Sequence, residues 1–473
     1  ADYIADKFFQ YGLEPFGDDG TYFETFLVTY WLASDWSLEI LSPSEIAGSY
    51  DCDPMEWCTS GNLVDKELVY VGLGAPEDYD NLEITDMGGN IALVLRGVYY
   101  FRDKVAWAYQ HGAGGVIVFD HTYQALFAGT LSEPQEIPAV SLTREDGERT
   151  LDAMGFTVTI DDYLNPEDIS GTQSVFPTAD MYVDIVVKED QPTKNVLGII
   201  YGTQPDEYVL IGAHYDHMGV MKGEVYNGAD DNAAGVAVVL ELARVLSEYA
   251  ETHPPRRSII LAAWTAEEEG LYGADYFVET HRKILPHIKI MLNLDMPGAG
   301  EWVDGTPRNN MYIEDTAHQY PDGDQPVYTS SGKEWAPKLV YNVAQLLIRE
   351  GKIVLGAEAT PYYLGDGYEL YSGVDDVKVV EYIGRSDHEP FLLAGVPATA
   401  IFSGADKYPE YHEPGDNIEL VDPAKLEISG KLAGCSAWKV AQHATQPAVA
   451  AEPTVYPAIS ARHVPVLPAG EVA

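Results

Sequence analysis

Apolar and polar residues alternate along "TYFETFLVTYWLA", Thr21 to Ala33, with the period of two that suits a half-buried strand. The preceding "ADYIADKFFQYGLEPFG" carries its apolar residues at helical spacing and reads as an amphipathic helix. From about Pro43 the texture changes to short apolar runs broken by Gly, Pro and acids. Within this part, Gly89 to His121 reads as a strand, a loop, a helix with Val105, Ala106, Ala108 and Tyr109 at helical spacing, and a second strand, "GGVIVFD". A small β-rich domain with one or two helices is expected there. From Ala179 a longer alternation begins. Strand-like "YVLIGAHYDH" leads to the helical "NAAGVAVVLELARVLSEYA", with Val236, Val239, Leu240, Ala243 and Leu246 on one face. The strand "RRSIILAAW", the helix "GLYGADYFVETHRK" and the strand "IKIMLNLDM" follow, and two further helices lie around "KEWAPKLVYNVAQLLIREG" and "LEISGKLAGCSAWKVAQHA". Strands alternating with helices predict an α/β sandwich with a largely parallel sheet.

The expected division is 1–42 and 179–445 for one α/β domain, 43–178 for the small inserted domain, and 446–473 for a Pro- and Ala-rich tail. Composition adds limits. A chain of 473 residues, 46% hydrophobic and 11% aromatic, can bury more than one core. No apolar run reaches the roughly 18 residues of a membrane span. The net charge of −47 argues against nucleic acid and anionic membranes as partners, because both recruit Lys and Arg. The acid excess is spread along the chain, so it suits either solubility in high salt or an acidic secreted enzyme. The start of the chain lacks a basic, then apolar leader, and a trimmed signal peptide with a secreted or periplasmic location is the expectation. Cys52 and Cys58 are close enough in sequence to close a small disulfide loop, while Cys435 reads as a buried free thiol.

Candidate chemistry gathers where strands end, the place where open parallel sheets bind ligands. His214, Asp216 and His217 follow one strand, and Asp230 and Asp231 enter a helix. Glu267, Glu268 and Glu269 follow "IILAAW", and Asp295 closes "MLNLD". A turn-rich loop, "YPEYHEPGDN", adds His412. Each has an ordinary explanation: acids suit a helix start, Asp231 could cap a helix and Asp295 could open a turn before Pro297. Together they would bring several acids and histidines to one sheet edge with few cations, a repulsion that divalent ions remove. Histidine and carboxylate without cysteine suits catalytic zinc, and two histidines with three carboxylates suffice for two ions sharing one carboxylate.

The segments "HYDH", "GADDNAAG", "AEEEGLYGA", "NLDM", "SDHEPFLLAGVPA" and "YHEPGDN", in this order, resemble the dinuclear-zinc aminopeptidases, a family that includes glutamate carboxypeptidases and, more distantly, glutaminyl cyclases. The likeness covers the first forty residues and Ala179 to about Ala444, and the segment between resembles a protease-associated (PA) domain. It implies a three-layer α/β sandwich with a mostly parallel mixed sheet and two Zn²⁺ per chain. Carried over residue by residue, it makes His214 and Asp295 ligands of one zinc and Glu268 and His412 ligands of the other. Asp231 would bridge them, Glu267 would be the general base and proton shuttle, and Asp216 would orient His214. Tyr411 would assist at the oxyanion, and Arg385, Ser386, Asp387 and His388 would line the substrate pocket. Ala234 and Ala274 stand where relatives often have Ser. The implied activity is release of N-terminal residues from peptides with a free N-terminus. A carboxypeptidase or dipeptidase, a glutaminyl cyclase, and a non-catalytic binding protein stay open as alternatives. A serine hydrolase is not supported, since no GxSxG elbow is present.

Overall fold

The computed structural model describes residues 1–121, 126–127, 129–131, 134–159, 164–303, 306–315, 335–355, 358–363, 369–372, 374, 376–381, 386–403 and 408–443. The expected tail at 446–473 and Arg385 lie outside the described residues. Two compact units emerge: Ala1–Val28 with Asp190–Val220 and Glu224–Ala473, and Thr29–Glu189 with Met221–Gly223. The divisions fall inside the long strands Phe23–Ser42 and Thr178–Ile200, not at the expected 42/43 and 178/179. Composition changes where turns begin, whereas a strand changes neighbours partway along its length.

The large unit carries strands in the spatial order Asp376–Glu381, Asn310–Asp315, Ala398–Phe402, Ile288–Leu294, Gln204–His214, Arg257–Trp264 and the second half of Thr178–Ile200. Gln204–His214 runs parallel to both Arg257–Trp264 and Ile288–Leu294, and Ile288–Leu294 runs parallel to Ala398–Phe402. Thr178–Ile200 pairs antiparallel with Arg257–Trp264, and Asn310–Asp315 antiparallel with Ala398–Phe402. The sheet is therefore mixed but parallel at its centre.

Side-chain alternation along these strands builds two cores. Val209, Ile211, Ala213, Ile259, Leu261 and Ala263 pack with helices Asp2–Gln10, Gly235–Thr252, Trp335–Arg349 and Pro423–Gln442. Leu210, Ile260, Ala262 and Trp264 face the other way, toward helices Tyr272–Thr280 and His388–Leu393. Helices on both faces of one sheet make the expected three-layer α/β sandwich. Trp264 is fully buried between Phe277 and Phe391, with ring centroids 5.4 Å and 5.8 Å away. Gly212 lies beneath it, where a methyl group would run into the indole nitrogen. The helix Gly235–Thr252 is buried over more than the one stripe read from its sequence, since Val238, Leu242 and Val245 are buried as well. Among the described residues no helix is long and apolar enough to cross a membrane.

The small unit holds a run of four parallel strands, ordered Gly61–Tyr70, Ile91–Leu95, Gly115–Phe119 and Ala139–Leu142, with the first part of Thr178–Ile200 antiparallel to the first and Asp53–Pro54 antiparallel to the last. The second and third of these strands are buried throughout, which is why they read as unbroken apolar runs. Helices Phe101–Gln110 and Arg144–Met154 form its crossover and flank. Thr143 caps the latter by accepting the Asp146 N–H, and Gly155 ends it at φ 99°. Cys52 and Cys58 are free rather than disulfide-bonded, and burial pushes both thiols up to about 12.

Candidate metal centre

Sheet register brings the candidate residues to one level. His214 ends its strand opposite Trp264, so Glu267 and Glu268 emerge in the turn just beyond. Gly212 pairs with Asn293 on the other side, so Asp295 lies level with His214. The glutamates do not start a helix, because Tyr272–Thr280 begins only after them. Nor does Asp231 cap one: the residue before Gly235–Thr252 is Ala234, without a side-chain cap. Three residues at the site hold left-handed backbone without being glycine: Ala266 at φ 54°, Met296 at φ 45° and His412 at φ 56°. Each costs about 1–3 kcal/mol and persists where surroundings demand it. The Asp231–Asn232 peptide is cis.

His214 Nε2 lies 3.3 Å from Asp231 Oδ1, 3.3 Å from Asp295 Oδ1 and 3.9 Å from Glu267 Oε2. His412 Nε2 lies 3.3 Å from Asp231 Oδ2 and 3.1 Å from Glu268 Oε2. The two oxygens of Asp231 thus serve two different histidines. Charge-assisted N–H···O bonds close to about 2.7–2.9 Å. Two ligands held about 2.0–2.1 Å from one tetrahedral zinc stand about 3.3 Å apart, and the observed spacings suit that instead.

Charge supports the same fit. Among the described residues the ion pairs of Asp231, Glu267, Glu268 and Asp295 are with histidines rather than with Lys or Arg. Both ring nitrogens of His412 and both carboxylate oxygens of the fully buried Asp387 are without a hydrogen bond among the described residues. Burial pushes the Glu267 carboxyl well above its usual range, and Glu268, Asp295 and Asp387 add to the rise. Burial works against charge on Glu268 too, yet His412 and His217 hold it down to about 2. Asp231 is likewise held below the ordinary carboxylate range, against burial, by His214 and His412. Despite burial, Glu267 and Asp295 raise His214, and Glu268 and Asp231 raise His412. A buried, acid-rich nest of this donor set has the chemistry of a divalent-cation site, and neighbouring glutamates emerge with opposite proton affinities.

His214, Asp231, Glu267, Glu268, Asp295 and His412 therefore come together as the sequence reading requires. Asp216 arrives differently. Its carboxylate lies 3.8 Å from His214 Nδ1, too far for a hydrogen bond. The nearest acceptor for that nitrogen is the Asp216 backbone carbonyl, at 3.2 Å, while Asp216 Oδ2 accepts the Glu268 N–H at 3.3 Å. Tyr411 stacks on His412 with centroids 3.9 Å apart, and burial with the nearby carboxylates raises its hydroxyl well above the usual range. Ser386 accepts from Asn293 Nδ2 at 2.6 Å. His388 pairs with Glu314 at 3.2 Å and takes no part in these groupings.

Two participants carry no role in the sequence reading. His217 Nδ1 lies 2.6 Å from Glu268 Oε1, and His217, Asp231 and Glu268 form a further grouping of ligand-type atoms. Its signal is present in "HYDH", which by itself gives His217 no role. Asp416, from the "YHEPGDN" loop, accepts the backbone N–H groups of Asp230 at 2.9 Å and Asp231 at 3.0 Å. It therefore ties the loop of His412 to the loop of Asp231. Asn232 continues that brace, donating to Leu294 O and accepting from Gly235 N and Met296 N.

Known proteins resemble this chain in both its α/β part and its inserted part. Residues 195–326 and 369–434 match peptidase family M28, and residues 59–150 match the PA domain. The chain is 26% identical over 379 residues to leucine aminopeptidase 2 of Trichophyton rubrum, covering 75% of this chain and 62% of that protein. It is 26% identical over 467 residues to a glutamate carboxypeptidase 2 homolog of Caenorhabditis briggsae, covering 82% of this chain and 56% of that protein. Among solved structures, an aminopeptidase from Aneurinibacillus sp. shares the fold with a TM-score of 0.65 at 23% identity, covering 96% of this chain and 90% of that one. A zinc aminopeptidase from Bacillus subtilis does so with a TM-score of 0.59 at 22% identity, covering 94% and 89%. The α/β part of the chain is thus similar to peptidase family M28, and the part inserted in it to the PA domain.

Proposed function

We propose that the chain is a zinc-dependent aminopeptidase that uses two ions. The observation that carries this reading is the division of Asp231, one oxygen 3.3 Å from His214 and the other 3.3 Å from His412. His214, Asp231 and Asp295 would hold one ion, and His412, Asp231 and Glu268 the other. Zinc bound there supplies a Lewis acid and a water that is nucleophilic near neutral pH.

The chain's own residues supply the rest. Glu267 is the general base, since burial among carboxylates raises its proton affinity toward the working pH. It accepts the water's proton and returns it to the leaving amine. Tyr411 keeps its proton for the same electrostatic reason and donates it as a hydrogen bond where the oxyanion develops. Glu267 and Asp295 accept hydrogen bonds from the substrate's free α-ammonium, which favours unblocked N-termini. Ser386, Asp387 and His388 shape the neighbouring wall. Similarity to enzymes named leucine aminopeptidase supports peptides with an apolar N-terminal residue as substrates. A secreted or periplasmic setting belongs to the same proposal.

The test is a panel of free and N-blocked peptides and aminoacyl anilides, assayed with and without a chelator. Chelator-sensitive release of the first residue from free peptides alone supports the reading. Release from the C-terminal end, or hydrolysis unaffected by chelation and metal return, overturns it.

A further inference from the structure

The second histidine of "HYDH" has a geometry distinct from the other histidines of the site. We infer that His217 is a positioning residue: it donates its Nδ1–H to Glu268 Oε1 and thereby turns Glu268 Oε2 toward the ion on the His412 side. The inference rests on the two-ion reading of the site.

Distance separates this role from that of a ligand. The proposed ligand pairs around His214 and His412 are spaced at 3.1–3.3 Å. His217 Nδ1 and Glu268 Oε1 are only 2.6 Å apart. Two donors on one tetrahedral zinc would stand about 3.3 Å apart, so the shorter contact is a hydrogen bond. Glu268 thus uses one oxygen toward His217 and the other, 3.1 Å away, toward His412. A ligating carboxylate fixed in this way loses less rotational freedom when the ion arrives.

The surroundings hold the His217 ring in place. Only 8% of its side chain is exposed, and it meets the His412 ring edge-on at a centroid distance of 5.8 Å. Gly228 makes room for it: this residue sits at φ +60°, and a Cβ there would lie 2.6 Å from the ring Cγ. The Asp216 carboxylate accepts the Glu268 backbone N–H, so the "HYDH" turn grips Glu268 at both main chain and side chain. His217 is therefore neither a spare ligand nor a surface residue but the partner that sets one carboxylate's rotamer.

The experiment compares two nearly isosteric variants, His217→Asn and His217→Leu, with the intact protein. The Asn amide can donate from about the Nδ1 position; Leu cannot. Zinc affinities come from competition titrations of metal-free protein, with circular dichroism to check folding and cobalt(II) absorption to report the donor set at saturation. The expected result is that His217→Leu weakens one of the two ions about 10–100-fold and leaves the other unchanged. His217→Asn should recover most of the loss, and both should keep the cobalt spectrum. If the wild-type protein binds two ions and His217→Leu binds both equally well, this inference alone fails. An altered cobalt spectrum in the Asn variant would make His217 a ligand and overturn it too. If the wild type binds fewer than two ions, the two-ion reading falls and the inference with it. Should His217→Leu not fold, the Asn variant decides: near-wild-type affinity with an unchanged spectrum supports positioning, and loss of an ion contradicts it.

Discussion

Both units of this chain contain a run of parallel strands, and both collect charged residues at the carboxyl ends of those strands. In the small unit Arg96 follows Leu95, Asp120 and His121 follow Phe119, and Arg144 follows Leu142. These charges cancel one another locally. Arg96 pairs with Asp120 at 3.2 Å, Arg144 with Glu148 at 2.6 Å, and the buried Lys104 donates to the carbonyls of Leu73 and Leu95. In the large unit the corresponding strand ends carry His214, Glu267, Glu268 and Asp295, and the acids outnumber anything positive among their described partners. Topology chooses where polar groups can gather, but charge balance determines whether a place is finished or is waiting for a cation. The first edge is a structural device, and the second is the one proposed here as a metal centre.

The comparison breaks most visibly under substitution. Glu267→Gln should lower kcat by about 10²–10⁴-fold while zinc content, read by elemental analysis, stays unchanged; near-normal turnover would remove Glu267 as the base. Removing metal comes next. At a thousandfold excess of zinc over its Kd, bound metal adds about 4 kcal/mol to stability, so chelation should lower the melting temperature. A melting curve indifferent to chelator would contradict the assignment.

A change in the small unit should behave in the opposite way. Arg96→Met leaves the buried Asp120 carboxylate without its arginine. It should cost about 1–3 kcal/mol of stability by denaturant unfolding, with kcat per folded molecule unchanged. The smallest effect is on pH. In the metal-free protein burial raises Asp216 from 3.8 to about 6, and Glu267, His214 and His412 are raised as well. A group whose folded pKa is raised favours the native state below its unfolded pKa and loses that contribution as pH climbs through the folded one. Metal-free protein should therefore melt at progressively lower temperature from pH 4 through 6 and onward above 6.5 as the histidines lose protons. Zinc-loaded protein should instead gain stability as pH rises over the same range, because the metal needs its ligands deprotonated while the unfolded chain still binds those protons, measurable by calorimetry.

Much of this was legible in the sequence because register turns strand ends into a common level. "IGAH", "LAAW" and "LNLD" each finish an apolar run with a polar residue, and parallel pairing aligns those ends. The helices were readable because their buried stripes repeat at 3.6 residues. What escaped depended on distances that spacing does not encode. Asp216 and His217 are neighbours of His214, yet the former reaches it through a backbone carbonyl and the latter turns toward Glu268. Asp416 lies four residues from His412, but only the fold brings it to the main chain of Asp230 and Asp231. The nearness of Cys52 and Cys58 suggested a bond, whereas the fold buries each as a separate free thiol.

The most direct test of a cation-completed sheet edge is a crystal of the zinc-loaded protein measured at the zinc absorption edge. Two anomalous peaks are predicted, one within about 2.0–2.2 Å of ligand atoms from His214, Asp231 and Asp295, the other equally close to His412, Asp231 and Glu268. A single peak, or peaks that leave Asp231 uncoordinated, would contradict the account.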